Sequence, residues 1–167
     1  MESTAKADGA LDVRFPTYRD LAGIANLSYN GARGETLSWL KLAENPEAVS
    51  SLFDPPPSLQ SVEIFTFKID RDGPTAELTI ALNEYPSSPP VKWRTQQANR
   101  ATMTLQLLAL GDIDFRGWST SNRAEIQINK VNAEQLEFVA KGANLAIRAT
   151  FGFLRIAGFS PYHFSAS

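Results

Sequence analysis

Residues able to carry acid–base or metal chemistry are few in this sequence. Two pairs of carboxylates stand two residues apart, Asp70 with Asp72 and Asp112 with Asp114. Such pairs can hold a cation or exchange protons with a substrate. Neither pair matches a calcium-binding loop. Glycines beside Asp72 and Asp112 indicate turns, where an aspartate side chain accepts hydrogen bonds from nearby backbone amides. Asp114 alternates with apolar neighbours and is expected to face water. The pattern therefore favours structural roles for all four carboxylates.

The sequence contains one histidine, His163, and no cysteine. One histidine cannot form a histidine-cluster metal site, and without cysteine there is no thiolate ligand, disulfide or cysteine nucleophile. The Gly-x-Ser-x-Gly motif of many serine hydrolases is absent, as are phosphate-binding and dinucleotide-binding glycine motifs. We therefore expect no metal, no cofactor and no enzymatic activity.

A proline-rich insertion at residues 84–99 carries the best candidates for contact with another protein. Trp93 and Arg94 are adjacent in it, and Tyr85 lies near its start. Tryptophan, tyrosine and arginine are enriched at the hot spots of protein interfaces. Prolines reduce the conformational entropy that a loop loses on binding. The sequence thus predicts Tyr85, Trp93 and Arg94 as partner-binding residues. The alternative is that Trp93 folds back to cover the edge of the sheet.

The elements that must position these residues are mostly strands. Segments rich in β-branched and aromatic residues predict strands at residues 62–69, 75–82, 101–109, 113–117, 124–130, 135–140 and 144–156. Gly73, between the first two, supplies the positive φ of a hairpin loop. Because the connections are short, we expect antiparallel neighbours.

Two short helices are predicted within residues 36–53, on either side of Asn45-Pro46. Asparagine before a helix can accept a bond from a free amide, and proline in the first turn has no amide to leave unpaired. Residues 1–12 are small and polar, which predicts a flexible N-terminal tail. The expected fold of residues 13–167 is a single α+β domain, mainly an antiparallel β-sheet or sandwich with short N-terminal helices.

Composition limits the partners that this chain can have. Its 167 residues and 43% hydrophobic content suffice for one packed core. The net charge is −2 and the charges are interspersed, so no basic stripe is available for nucleic acid. No apolar run suits a secretion signal or a membrane span, and we therefore expect a cytoplasmic protein that binds no membrane.

Several short motifs follow one another along the chain. They are Leu37-Ser38-Trp39-Leu40, Asp70-Arg71-Asp72-Gly73-Pro74, Glu84-Tyr85-Pro86, Val91-Lys92-Trp93 and Asp112-Ile113-Asp114-Phe115-Arg116-Gly117-Trp118. With these motifs, residues 38–164 resemble the bacterial immunity protein 50 family of polymorphic toxin systems. The resemblance implies an α+β protein without catalytic activity that binds and neutralises a toxin made by the same cell. It assigns no toxin-contacting residue.

Two other functions compete with toxin neutralisation. A β-sheet assembly or interaction module would pair through an exposed sheet edge, which would also allow a homodimer. A small carboxylate-dependent enzyme would instead place its acidic groups in a cleft of the sandwich.

Overall fold

A computed structural model describes residues 38–165, which form eight strands and three short helices. The helices are α1 (Ser38–Lys41), α2 (Glu47–Ser50) and α3 (Val91–Thr95). The strands are β1 (Val62–Asp70), β2 (Thr75–Ala81), β3 (Arg100–Leu108), β4 (Ile113–Arg116), β5 (Arg123–Asn132), β6 (Gln135–Lys141), β7 (Ala146–Phe151) and β8 (Phe153–Tyr162). The predicted tail, residues 1–12, lies outside the described residues.

The strands are hydrogen-bonded in the order β4-β7-β6-β5-β1-β2-β3-β8, and the neighbours are antiparallel. Strands β5 and β1 join two four-stranded halves at the centre of this order. The β-ladder between them has two residue pairs, Val62 with Ala124 and Glu63 with Arg123. The junction between the halves is therefore narrow.

One hydrophobic core lies between the two halves. Alternate residues point into it, and the fully buried side chains include Ile64, Leu78, Leu105, Phe138, Ile147 and Leu154. Phe67 in β1 contacts two rings of the other half, Phe115 at 5.3 Å and Phe138 at 6.4 Å between ring centroids. Burying one such side chain contributes about 1.5–3 kcal/mol. The two halves thus pack through their inner faces.

The mainly antiparallel sheet predicted from the sequence is confirmed. Strands β1 and β2 form the predicted hairpin, and Gly73 has a φ of 105° in its turn. The described helices have four or five residues each, too few to form a helical layer, so the structure supports a mostly β protein and not the α+β label.

The predicted strand at residues 144–156 is wrong, because two strands occupy this segment. β7 ends at Phe151 in one half, and β8 begins at Phe153 in the other. Gly152 lies between them and donates its amide to Leu108 O at 2.8 Å. Buried apolar positions fall on odd numbers from Leu145 to Phe151 and on even numbers from Leu154 to Ile156. This change of phase marks the passage from one half to the other.

Asn45 does not cap α2 as predicted. The cap position is Pro46, and no side chain bonds the free amides there. The Asn45 side chain instead pairs with the backbone of Ile156 in β8, donating to its oxygen and accepting from its amide, both at 2.9 Å. Ala43 forms a parallel bridge with Leu154 beside it. Residues 43–45 therefore cover part of the outer edge of β8, which would otherwise offer free backbone groups.

Candidate functional site

The predicted partner-binding residues of the insertion lie at different depths. Trp93 is 4% exposed and belongs to the hydrophobic core. Tyr85 is partly buried, with its ring centroid 6.3 Å from that of Trp93. Arg94 is exposed. The structure therefore brings Tyr85 and Trp93 together beneath the surface. Trp93 is packed into the core, and Arg94 is the exposed residue of the three.

The paired carboxylates have structural surroundings. Asp70 accepts the amide of Asp72 at 3.0 Å in the turn of the first hairpin, and both residues are exposed. Asp114 does not face open water as expected, because it lies partly buried with its carboxylate 4.0 Å from the Arg148 guanidinium. Within residues 38–165, no group of three histidine, aspartate or glutamate side chains could hold a metal ion.

His163 lies close to the insertion. Its Nδ1 is 3.2 Å from Gln97 O. The next residue, Phe164, donates its amide to Asn99 Oδ1 at 2.7 Å and accepts from Asn99 Nδ2 at 2.8 Å. These bonds attach the C-terminal segment to the end of the insertion, which gives His163 a structural setting.

Two aromatic side chains that the sequence analysis missed lie on the surface at the junction of the halves. Trp118 and Phe65 are each 46% exposed. They stand beside a cleft of about 410 Å³, whose other lining residues are Glu63, Ile64, Ser119, Thr120, Ser121 and Asn122. We call Trp118, Phe65 and this lining the aromatic cleft. Exposed aromatic residues beside polar ones are typical of protein contact surfaces.

The backbone turn that precedes Trp118 requires a glycine at position 117. Gly117 has a φ of 80°, and a Cβ atom there would stand 1.8 Å from the backbone oxygen of Asn144. Only glycine fits such an approach at this φ. After this turn the indole ring rests against Phe115, with the ring centroids 5.6 Å apart. Trp118 thus has one supported side and one open side.

Hydrogen bonds within residues 119–122 stiffen the loop that follows Trp118. The buried Asn122 side chain accepts the Ser119 amide at 2.8 Å and donates to the Ser119 oxygen at 2.7 Å. The Glu63 carboxylate accepts the Ser121 hydroxyl at 3.2 Å and the Asn122 amide. These bonds connect the loop to β1. A loop ordered in this way loses little conformational entropy when a partner binds.

Phe65 lies on the outer face of β1, at a point where the strand is irregular. The register of β1 against β2 shifts between Ile64 and Thr66. Val62 and Ile64 are buried, so regular alternation already places Phe65 outside, and the register shift lets Phe67 instead of Thr66 turn inward. Its ring meets Tyr162 edge to face, at 5.8 Å between centroids. The alternation of Val62 and Ile64 is the sequence signal that placed Phe65 on the outer face.

The fold is that of a mostly β protein, and the aromatic cleft is its candidate surface for contact with another protein. A family model described as Immunity protein 50 matches residues 45–162, a range that includes all eight described strands and the aromatic cleft. The chain belongs to this family. No curated protein and no solved structure matches it. Among the described residues, no helix is long and apolar enough to span a membrane.

Proposed function

We propose that this chain binds a toxin protein made by the same cell and neutralises it by covering a functional surface, without catalysis of its own. Membership of the Immunity protein 50 family supports a protein partner. The observation that carries the proposal is the aromatic cleft, where Trp118 and Phe65 are half-exposed on a hydrogen-bonded support. Neutralisation would then take place in the cytoplasm, where the toxin is made.

The composition of the aromatic cleft suits a binding hot spot. Tryptophan is the residue most enriched at such positions, and truncating a hot-spot residue costs about 2 kcal/mol or more of binding energy. Ser119, Thr120 and Ser121 surround Trp118 with polar groups, as in the rim that excludes water from an interface. The Glu63 carboxylate accepts two bonds from the loop, which supports a positioning role over acid–base chemistry.

The insertion is a second proposed contact for the same partner. Val91 is 74% exposed and Arg94 is also exposed, on the outer side of α3. Trp93, on the inner side of the same helix, is buried in the core and packs against Tyr85. In this proposal Arg94 contacts the toxin, while Tyr85 and Trp93 keep α3 in position.

Co-expression with the gene adjacent to this one in its genome, as the candidate toxin gene, tests the proposal. We expect the wild-type chain to restore growth and to co-purify with the toxin. Trp118→Ala should weaken both effects, whereas Phe153→Ala should not. Phe153 is a matched control because it is 53% exposed and lies at the opposite end of β8 from Tyr162, the residue that Phe65 contacts. The proposal is wrong if the wild-type chain gives neither rescue nor co-purification.

A further inference from the structure

We infer that the aromatic cleft receives an arginine side chain of the partner, with Glu63 as its counter-charge; this inference rests on the proposed function. The cleft presents two aromatic rings, Phe65 and Trp118, and one carboxylate. Aromatic faces attract cations, and tryptophan does so most strongly. A carboxylate beside such rings adds a full negative charge. The combination recognises a cation in preference to a neutral or acidic group.

The charge of Glu63 has no cationic partner among the described residues. Arg123 is its neighbour across the β1–β5 junction, but the Arg123 guanidinium donates to the Ser61 oxygen at 2.5 Å and lies 3.3 Å from the Ser61 hydroxyl. The groups that bond Glu63 are a hydroxyl and an amide, which are both neutral. A carboxylate offers about four acceptor positions, so two remain for a ligand.

Arginine fits this cleft better than lysine. Its guanidinium is planar, stacks on aromatic rings and directs paired N–H groups toward a carboxylate. Lysine has a compact and strongly hydrated charge that makes poorer use of two aromatic walls. The fixed loop at residues 119–122 keeps the carboxylate and the indole in place before a ligand arrives. The specificity thus comes from stacking and charge together.

A peptide titration tests the inference without the toxin. The probe is acetyl-Gly-Arg-Gly-amide, added to the ¹⁵N-labelled protein while the Trp118 indole N–H and the amides of residues 117–122 are followed by NMR. The same peptide with citrulline in place of arginine keeps the shape and removes the charge. We expect saturable shifts at millimolar peptide with arginine, and affinity at least about tenfold lower with citrulline, since the charge supplies the cation–π attraction and the ion pair.

Two variants show whether the named groups carry the binding. Glu63→Gln keeps one acceptor for the loop and removes the charge, and Trp118→Leu keeps an apolar side chain and removes the ring. Each should lower affinity for the arginine peptide about tenfold, and thermal unfolding of each variant checks that it remains folded. Phe153→Ala, at an exposed ring outside the cleft, should bind the peptide as the parent does.

The inference is overturned if the arginine peptide does not shift these signals, or if arginine and citrulline peptides bind equally well. It is also overturned if both variants remain folded and keep the parent affinity. Failure of the proposed function would appear elsewhere, as absence of growth rescue and of co-purification with the toxin. The two results are therefore separable.

Discussion

The insertion at residues 84–99 and the loop at residues 117–122 each carry one tryptophan, and the two side chains end in opposite environments. Trp93 is 4% exposed, whereas Trp118 is 46% exposed. Both segments connect strands of the same sheet, the insertion within the long connection at residues 82–99 and the loop over residues 117–122. Composition alone favours the insertion, which adds prolines, a tyrosine and an arginine. The comparison shows that the local backbone conformation, which directs a side chain into the core or toward solvent, decides which aromatic ring a partner can reach.

The geometry of α3 explains why Trp93 is buried. The helix is a single turn that starts after Pro90, whose oxygen accepts the Trp93 amide at 2.9 Å. Successive side chains in a helix are about 100° apart, so a single turn directs only one or two of them to the same side. Trp93 occupies the side facing the core and leaves Val91 and Arg94 in solvent.

The largest expected effect is on stability, in the insertion. Trp93→Ala should lower the free energy of unfolding by about 3–5 kcal/mol, because it removes a large side chain from the core and leaves a cavity. Chemical denaturation followed by circular dichroism measures this change. Arg94→Ala is the neighbouring control and should change stability by less than about 0.5 kcal/mol. A Trp93→Ala protein that is as stable as the parent but no longer binds the toxin would show that Trp93 is a binding residue and not a structural one.

The second effect is on binding, in the loop. Trp118→Ala should weaken toxin affinity by about 2 kcal/mol or more, roughly thirtyfold. The variant lacks the ring whose exposed half becomes buried in the complex of the wild-type protein. Its unfolding free energy should fall by only about 1 kcal/mol, since the ring is half-solvated and contacts Phe115 on one side. Calorimetric titration and denaturation of the same preparation separate the two. Equal affinity for variant and parent would remove this surface from consideration.

A third effect tests how the loop is held. Gly117→Ala should cost more than about 1 kcal/mol of stability and should also weaken toxin binding, because the new Cβ would collide with the Asn144 oxygen and displace Trp118. Gly158→Ala is a matched control, since a Cβ there meets nothing within 4 Å. Thermal unfolding and toxin titration of both variants provide the measurement. Similar behaviour of the two variants would contradict a fixed position for Trp118.

The smallest expected effect concerns the exposed part of the insertion. Arg94→Ala should weaken toxin affinity by up to about 1 kcal/mol if α3 is a second contact, as is usual for residues outside the centre of an interface. Lys92→Ala removes a positive charge from the same exposed helix and serves as its control. An Arg94 effect larger than that of Trp118→Ala would place the centre of the interface at the insertion.

Much of the fold was predictable from local pattern. Alternation of apolar and polar residues identified most of the strands, and Gly73 marked the first hairpin, because a strand with one buried face must place apolar residues at every second position. The prolines of residues 84–99 correctly excluded a central strand there. These features depend on residues close together in the chain, where backbone sterics and side-chain direction suffice.

Other features depended on contacts between distant residues. Asn45 pairs with Ile156, 111 residues away, although its local sequence favoured a helix cap. Strand β8 lies in the half opposite β7, although the apolar pattern runs almost unbroken past Gly152. The positions of Trp93 and Trp118 follow the same rule, since each ring lies where its backbone meets the rest of the sheet. The sequence showed which residue types are suited to binding a partner. Only the packing of the two halves decided which of those side chains are exposed to one.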